Sequence, residues 1–434
     1  MENSQNTFFT APSLADMSGK LVRSTRGDKM IWAIVMLLTV ASLLLVYSST
    51  GSLAYKMSKS PESYLLKQVF FILLGLVIIY FAHRINYSVY SKLALYLFLL
   101  SIPLLLYTLF FGVELNSGSR WIKLPVINQT IQTSDLAKLS LFMYLSRMLS
   151  RKQHQNMIKD FKKGFLPIII PVAIICLLIL PANLSTAMLI GGTSLMLMFI
   201  GRVNIKHILG TVAIAMVPIV MLISVAIATY DASAAEKKKA TGIMSAGRVG
   251  TWISRIQTFI YGSKEAGDDK TYQITQAKIA IAKGGWIGLG PGNSEQRNFL
   301  PHSYSDFIYA LIIEEYGVLG GAIVIGIYLI FLFRCIRIYR KCPYAFGAFL
   351  ALALSFTLVI QAIVNMAVNV SLFPNTGVTL PLLSMGGSSF LFTCMSIGII
   401  LSVARNVEQL EGNGDTLANQ TTSDNVTTEK VKGE

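Results

Sequence analysis

Charge is what this sequence has least of. Asp, Glu, Lys and Arg make up only 14% of its 434 residues, against about 25% in an ordinary soluble domain. That shortage excludes a water-soluble globular protein, and the apolar residues are gathered into runs near the ~20 that cross a bilayer. No N-terminal apolar segment leads into a small-residue cleavage site, so no removable signal peptide is expected and the first run reads as a signal anchor. The four cysteines, Cys176, Cys335, Cys342 and Cys394, either lie in apolar runs or flank a basic loop. None is spaced for a metal cage, which leaves free thiols and excludes a disulfide framework. There is no repeat of fixed period.

The net charge of +15 could suggest nucleic acid, but the basic residues sit at the ends of the apolar runs, where positive-inside bias explains most of them. The expected class is an all-α polytopic membrane protein. Its spans fall near 30–49, 65–82, 93–113, 135–149, 164–181, 184–201, 207–230, 307–333, 345–368 and 388–405, about ten in all. Lys20, Arg23, Arg26 and Lys29 before the first span, Arg147 to Lys163 around the end of the fourth, and Arg334 to Lys341 after the eighth fall on one side by this count. That side is the cytoplasm. The expected organisation is a cytoplasmic polar tail over 1–29, a membrane domain over 30–406 and a disordered cytoplasmic tail over 407–434. Both termini are then cytoplasmic, and the long loop 231–305 between spans seven and eight lies outside. A connection that long is usually functional or disordered.

Ionisable residues inside or against spans are costly, and each raises a functional question. In "NFLPHSYSDFIYALIIEEYG", residues 298–317, Asp306 stands where a polar turn enters an apolar helix. "SYSD" also matches a capping box, so capping and catalysis weigh about equally on spacing alone. Glu314 and Glu315 lie two turns further in, and a bland structural role is expected for both, with one of them pairing with a base on a neighbouring helix. In "GSRWIKLPVINQTIQTSDLAKLSLF", residues 118–142, Asp135 and Lys138 are three apart and can pair on one helix face toward the bundle interior. "GLGPGNSEQR", residues 288–297, lacks the strand–turn–helix context of a nucleotide loop. Its glycines permit close backbone approach, as a flexible turn or as an anion-binding nest of N–H groups. "NMAVNVSLFPNTGVTLPLLSMGGSSF", residues 365–390, is apolar yet broken by Pro374, Gly377, Pro381, Gly386 and Gly387. It reads as a re-entrant or external loop packed against protein.

Together these stretches resemble the SEDS family of bacterial cell-wall polymerases. "RWI" with "QTSDLAKL", the run from Thr271 to Gly317, "PNTGVTLPLLSMGGSS" and the opening "DKMIWAIVMLLTVASLLLVYSS" carry the likeness, which spans roughly residues 28–407. "GVTLPLLS" is closer to the division branch of the family than to its elongation branch. Three segments depart from the family's pattern. Asp135 stands for a Glu in "QPSE". "PDLGT" appears as "ANLST", with Asn183 for an acid and Ser185 for a glycine. "LPEAHTDF" appears with His302 and Tyr304 for a Glu and a His.

The resemblance implies polymerisation of lipid II into glycan strands during septal wall synthesis, with inversion at the anomeric carbon. A pyrophosphate leaving group needs no proton, so one general base suffices where glycosidases use two carboxylates. Asp306 is the residue that the resemblance points to. It also implies a substrate-binding set: Arg120, Gln132, Ser134, Asp135 and Lys138 around the fourth span; Arg248, Arg255, Gln273, Gln276, Gly288, Gly290, Gly292, Asn293, Ser294 and Arg297 in the large loop; and Pro374, Gly377, Ser384, Gly386, Gly387 and Ser388 before the last span. Arg120, Lys138, Arg248, Arg255 and Arg297 are the cations available to the leaving group, with glycine N–H groups as further donors. The resemblance further implies support by Mg2+ or Mn2+, a class B penicillin-binding protein transpeptidase and other divisome membrane proteins as partners, and a place in the bacterial inner membrane at the septum. Rival readings are a lipid II flippase, a non-catalytic division scaffold, and a polymerase of the elongation branch.

Overall fold

A computed structural model describes residues 27–56, 61–115, 118–123, 130–155, 157–229, 248–261, 269–300 and 304–431. The helices are α1 Lys29–Lys56, α2 Pro61–Arg84, α3 Tyr87–Phe111, α4 Thr133–His154, α5 Leu166–Ile179, α6 Leu184–Ile200, α7 Ile205–Ala228, α8 Arg248–Tyr261, α9 Asp269–Gly284, α10 Ile308–Lys341, α11 Ala345–Asn369 and α12 Ser388–Val431. Among the described residues eight helices are long and apolar enough to cross a membrane. Two expected spans differ from these: α6 is a shorter apolar helix of 17 residues, and α4 is long enough at 22 but mixed in polarity. Helices suit this chain because lipid offers no partner for a backbone N–H or C=O. Side-chain oxygens of Asn86, Asp160, Asn183 and Asn204 cap amides at the first turns that follow them, which satisfies donors that a helix cannot satisfy itself.

Several features depart from the sequence expectation. Residues 113–132 form a small antiparallel sheet, β1 Val113–Leu115, β2 Gly118–Lys123 and β3 Thr130–Gln132, with Trp121 paired to both Val113 and Gln132. The long loop 231–305 contains two helices, α8 and α9. α10 is one element only by hydrogen bonding: Gly317 has φ 70 and ψ −176 and breaks it after its second turn. The polar tail expected to be disordered from 407 continues the backbone helix of α12 to Val431.

α11 is the centre of the bundle and packs against α4, α6, α10 and α12. At one end of the bundle Arg334 pairs with Asp28 at 2.6 Å, Gly27 N–H donates to Glu408 at 2.6 Å, and Arg405 donates to the Arg84 carbonyl at 2.9 Å. The ends of α1, α2, α10 and α12 therefore share one face, as the parity of the basic residues requires. The opposite end holds the sheet, residues 284–300 and 304–306, and the 370–387 loop.

Candidate functional site

The site is built on an irregular backbone segment, 304–307, that leads into α10. The helix begins at Ile308 with Phe307 as its N-cap, and no side chain of that cap accepts a hydrogen bond. Asp306 is therefore not the cap that its spacing suggested. The amide that a capping side chain would normally take is satisfied from elsewhere: Ala310 N–H donates to Asn369 Oδ1 at 3.0 Å. The Asn369 amide Nδ2 in turn donates to the Asp306 carbonyl at 2.9 Å, and Asn365 Nδ2 donates to the same carbonyl at 2.9 Å. Asp306 is half-buried. A side chain on Gly377 would begin 3.6 Å from Asp306 Oδ2, so the bare backbone of the 370–387 loop forms the wall facing the carboxylate. Tyr304 lies close by. Burial pushes its phenol up from the usual range, and Tyr64 and Asp306 add to the shift, which keeps it neutral near pH 7.

The facing loop is held as firmly. Ser384 Oγ donates to the Ser305 carbonyl at 2.5 Å and accepts from Leu380 N–H at 2.9 Å, while Met385 N–H donates to the Tyr304 carbonyl at 3.0 Å. Asn365 Nδ2 reaches the Val378 carbonyl at 2.6 Å, Gln361 Nε2 reaches the Thr379 carbonyl at 3.0 Å, and Tyr328 donates to the Pro381 carbonyl. Leu380, Leu382 and Leu383 are buried. This is the loop packed against protein that the prolines and glycines of 365–390 predict, since non-helical backbone at membrane depth must find partners inside the protein.

Lys138 joins the same scaffold from α4. Its Nζ lies 3.2 Å from Asp135 Oδ1, the pair expected from their spacing, and donates to Gln361 Oε1 at 3.0 Å. An ammonium has three donors, so one remains. Asp135 is 4% exposed and its Oδ2 has no hydrogen-bond partner among the described residues. Gln132 N–H donates to Ser388 Oγ at 3.2 Å and Gln132 Nε2 to Ser134 Oγ at 2.9 Å, which ties β3 and α4 to the start of α12. Thr108, Thr133, Ser134 and Asn183 line a small pocket between α3, α4 and the α5–α6 turn, with apolar walls from Leu105, Leu178 and Ile179. Asp306 does not line it. Asn183 accepts from Thr186 N–H at 3.4 Å. An amide caps a helix as well as a carboxylate does, so the missing acid at 183 costs the cap nothing.

The glycine-rich stretch does a different job from the one expected. Gly288 N–H donates to the Gly284 carbonyl at 2.8 Å and Gly290 N–H to the Glu315 carbonyl at 2.9 Å, and the Gly292 backbone donates to the Glu315 side chain. These donors are taken within the protein, so the anion nest expected over 288–292 is not formed. A Cβ on Gly284 would fall 2.0 Å from the Ile313 carbonyl, and one on Gly288 2.3 Å from that of Glu315. The glycines let the 284–290 backbone lie directly on the first turns of α10. Glu314, fully buried, accepts from Ser294 Oγ and from the N–H groups of Glu295 and Gln296 at 3.1 Å. Glu315 accepts from Ser48 Oγ and is attracted by Arg297, whose guanidinium donates to the Ser48 carbonyl at 3.0 Å. Arg297 thus fastens this loop to α1. Glu315 thus faces a base from the loop and not from a neighbouring helix, and Glu314 is paired with loop amides.

The remaining candidates are spread out. Gln273 and Gln276 are half-buried on α9, whose Ala277 and Ala280 pack against Phe307 and Ala310 beside Asp306. Arg255 is half-buried on α8, which packs on α7 through Gln257 Nε2 and the Ala226 carbonyl at 2.9 Å. Asn293 Nδ2 donates to the Leu289 carbonyl at 3.1 Å. Pro374, Gly386 and Gly387 shape the facing loop, with φ +50 at Gly387. The side chains of Arg120 and Arg248, and all of His302, lie outside the described residues. Among the described residues no group of three or more His, Cys, Asp or Glu could hold a metal ion. A divalent ion here would be held mainly by phosphate oxygens of a ligand.

Sequence reasoning missed Gln361, Asn365 and Asn369. Their signal was present: three amides at i, i+4 and i+8 in an otherwise apolar helix define one polar stripe.

The profile of the FtsW/RodA/SpoVE cell cycle protein family matches residues 28–409. The probable peptidoglycan glycosyltransferase FtsW of Trichlorobacter lovleyi is 31% identical over 393 residues, covering 90% of this chain and 96% of that protein. Its counterpart from Nitrosococcus halophilus is 33% identical over 366 residues, covering 83% and 87%. Among solved structures, a chain from work on the structural coordination of polymerization and crosslinking by a peptidoglycan synthase complex superposes with a TM-score of 0.67 at 22% identity, covering 88% of this chain and 99% of that one. The crystal structure of the rod shape determining protein RodA from Thermus thermophilus gives 0.58 at 22% identity, covering 88% and 97%. The two structures share the fold described above.

Proposed function

The chain belongs to the FtsW/RodA/SpoVE family of cell cycle proteins, and on that premise we propose that it is a peptidoglycan glycosyltransferase that polymerises lipid II in septal wall synthesis. The observation that carries the chemistry is the placement of Asp306. Its half-buried carboxylate stands at the end of the bundle opposite the basic face, is not used as a helix cap, and faces the bare backbone of Gly377.

In this reading the carboxylate of Asp306 takes the proton of the attacking sugar hydroxyl. That oxygen bonds to the anomeric carbon of the lipid-linked strand as the bond from that carbon to pyrophosphate breaks. The configuration inverts and polyprenyl pyrophosphate leaves with both electrons of the broken bond. In this reading Lys138, with one donor remaining, helps to stabilise the charge that develops on the phosphate, because charge-assisted donors set in advance cost no reorganisation at the moment of reaction. No step requires a protein-held metal. Mg2+ or Mn2+ would act on the substrate's phosphates.

The remaining features extend the same reading. The chain is a multi-span membrane protein whose termini lie in the cytoplasm, with 231–305 outside. A class B penicillin-binding protein cross-links its product and raises its activity. The division assignment is supported by the FtsW names of the relatives.

The test is polymerisation of labelled lipid II by purified protein, with its class B partner blocked at the transpeptidase site. Wild type is run beside Asp306→Asn after both are shown to fold and to bind the partner. Long glycan from wild type and none from the variant is expected. Equal product from both would move the base elsewhere. Lipid translocation without product from either would favour a transporter.

A further inference from the structure

Two donors converge on one carbonyl at the heart of this site. Asn365 and Asn369 both donate to the Asp306 C=O at 2.9 Å, which occupies both of its lone pairs. Asn369 also accepts from Ala310 N–H. Its one amide group therefore bridges the carbonyl before the helix and the amide at the end of its first turn, in place of the cap that Phe307 cannot supply. Asn365 also holds the Val378 carbonyl, next to Gly377, whose backbone faces the Asp306 carboxylate. Both walls around that carboxylate thus hang from two side chains of α11. Asn365 is 1% exposed and Asn369 0%. A buried amide is costly unless its donors and acceptors are matched, and here the matches lie on the segment that carries the base.

We propose that Asn369 is a positioning residue for Asp306, with Asn365 setting the separation between Asp306 and Gly377. The peptide plane after Asp306 is fixed by these amides, so that only the two side-chain torsions of Asp306 remain to place its carboxylate. The proposal rests on the reading of Asp306 as the base. Removing the Asn369 donor lets the segment shift by a fraction of an ångström without emptying a core position.

The test uses full-length protein with its blocked partner. Asn369→Asp keeps the acceptor for Ala310 N–H and the size of the side chain but loses the donor to Asp306. Asn369→Leu loses both. Hydrogen exchange, thermal melting, kcat and KM are measured for each, alongside Asp306→Asn. For Asn369→Asp the expected result is a fall in kcat of about 10- to 100-fold, the range that a misplaced catalytic group produces. KM should stay within about twofold. Faster exchange should be confined to the amides of 306–311. An unchanged kcat would overturn the proposal. So would a joint fall of kcat, substrate affinity and melting temperature with exchange loosened throughout α10 and α11, because that marks a merely structural residue. Full activity of Asp306→Asn would sink the base reading alone, and the exchange pattern would still decide whether Asn369 holds the segment.

Discussion

Two helices of this protein look alike in sequence and behave as opposites in the fold. α7 has 24 residues with a mean hydropathy of 2.6, and 6% of it is buried; α11 has 25 residues with a mean hydropathy of 2.2, and 83% is buried. Hydropathy says that each can cross a bilayer and nothing about where it stands in the bundle. The difference lies in the amides. α7 has no Asn or Gln within its span, and Ile214, Val217 and Met221 are two-thirds or more exposed. α11 carries Gln361, Asn365 and Asn369 on one stripe: Gln361 is bonded to Lys138 and to the Thr379 carbonyl, and both asparagines are bonded to the Asp306 carbonyl. Between helices in lipid the hydrophobic effect supplies little drive, so packing and interhelical hydrogen bonds decide which helix is central.

The comparison can be broken most directly by truncation. Leu350→Ala on α11 removes a fully buried side chain and should cost about 2–3 kcal/mol through the cavity left behind. Ile214→Ala on α7, 74% exposed, should stay within about 0.5 kcal/mol. Unfolding of purified protein in detergent checks both, and equal losses would make the contrast in burial meaningless.

Gln361→Leu tests the polar stripe itself. It strands Lys138 and the Thr379 carbonyl, and a buried group left unsatisfied costs about 1–3 kcal/mol. A melting shift and a loss of polymerase activity are expected together. A stable, fully active variant would remove Gln361 from the scaffold.

Gly377→Ala probes the loop hung on α11. Gly377 has φ +64 and its added Cβ would lie 3.6 Å from Asp306 Oδ2. The left-handed conformation should cost an ordinary residue about 1–2 kcal/mol, and activity should fall more than stability does. The smallest effect is expected furthest from the stripe, at Asn183→Asp. Both residues cap a helix, so the melting temperature should barely move, whereas Asn183→Ala should cost about 1 kcal/mol.

What the sequence made legible follows from the range of each interaction. Eight of the ten expected spans, the Asp135–Lys138 pair and the packed loop at 365–390 rest on local pattern, and the structure contains them. Spacing alone left capping and catalysis open for Asp306, because the partner of its segment comes from Asn369, 63 residues away. The glycines of 288–292 were legible as a close backbone approach but not by what they approach: their freedom serves a crossing with α10, and nothing in a glycine names the helix it will lie on. α8 and α9 are the helices that a reading by apolar runs passes over, since neither is long and apolar enough to be a span.

The clamp on Asp306 also bears on how the protein is made. Synthesis runs from the N-terminus, so Asp306 leaves the ribosome before Gln361, Asn365 and Asn369 exist. Until α11 has been threaded into the bundle, Asp306 is present but nothing from that helix holds its segment. A chain halted before residue 345 would contain Asp306 and most of its spans, yet no fixed site. The order of synthesis therefore leaves the Asp306 segment without its two amide partners until the central helix is in place.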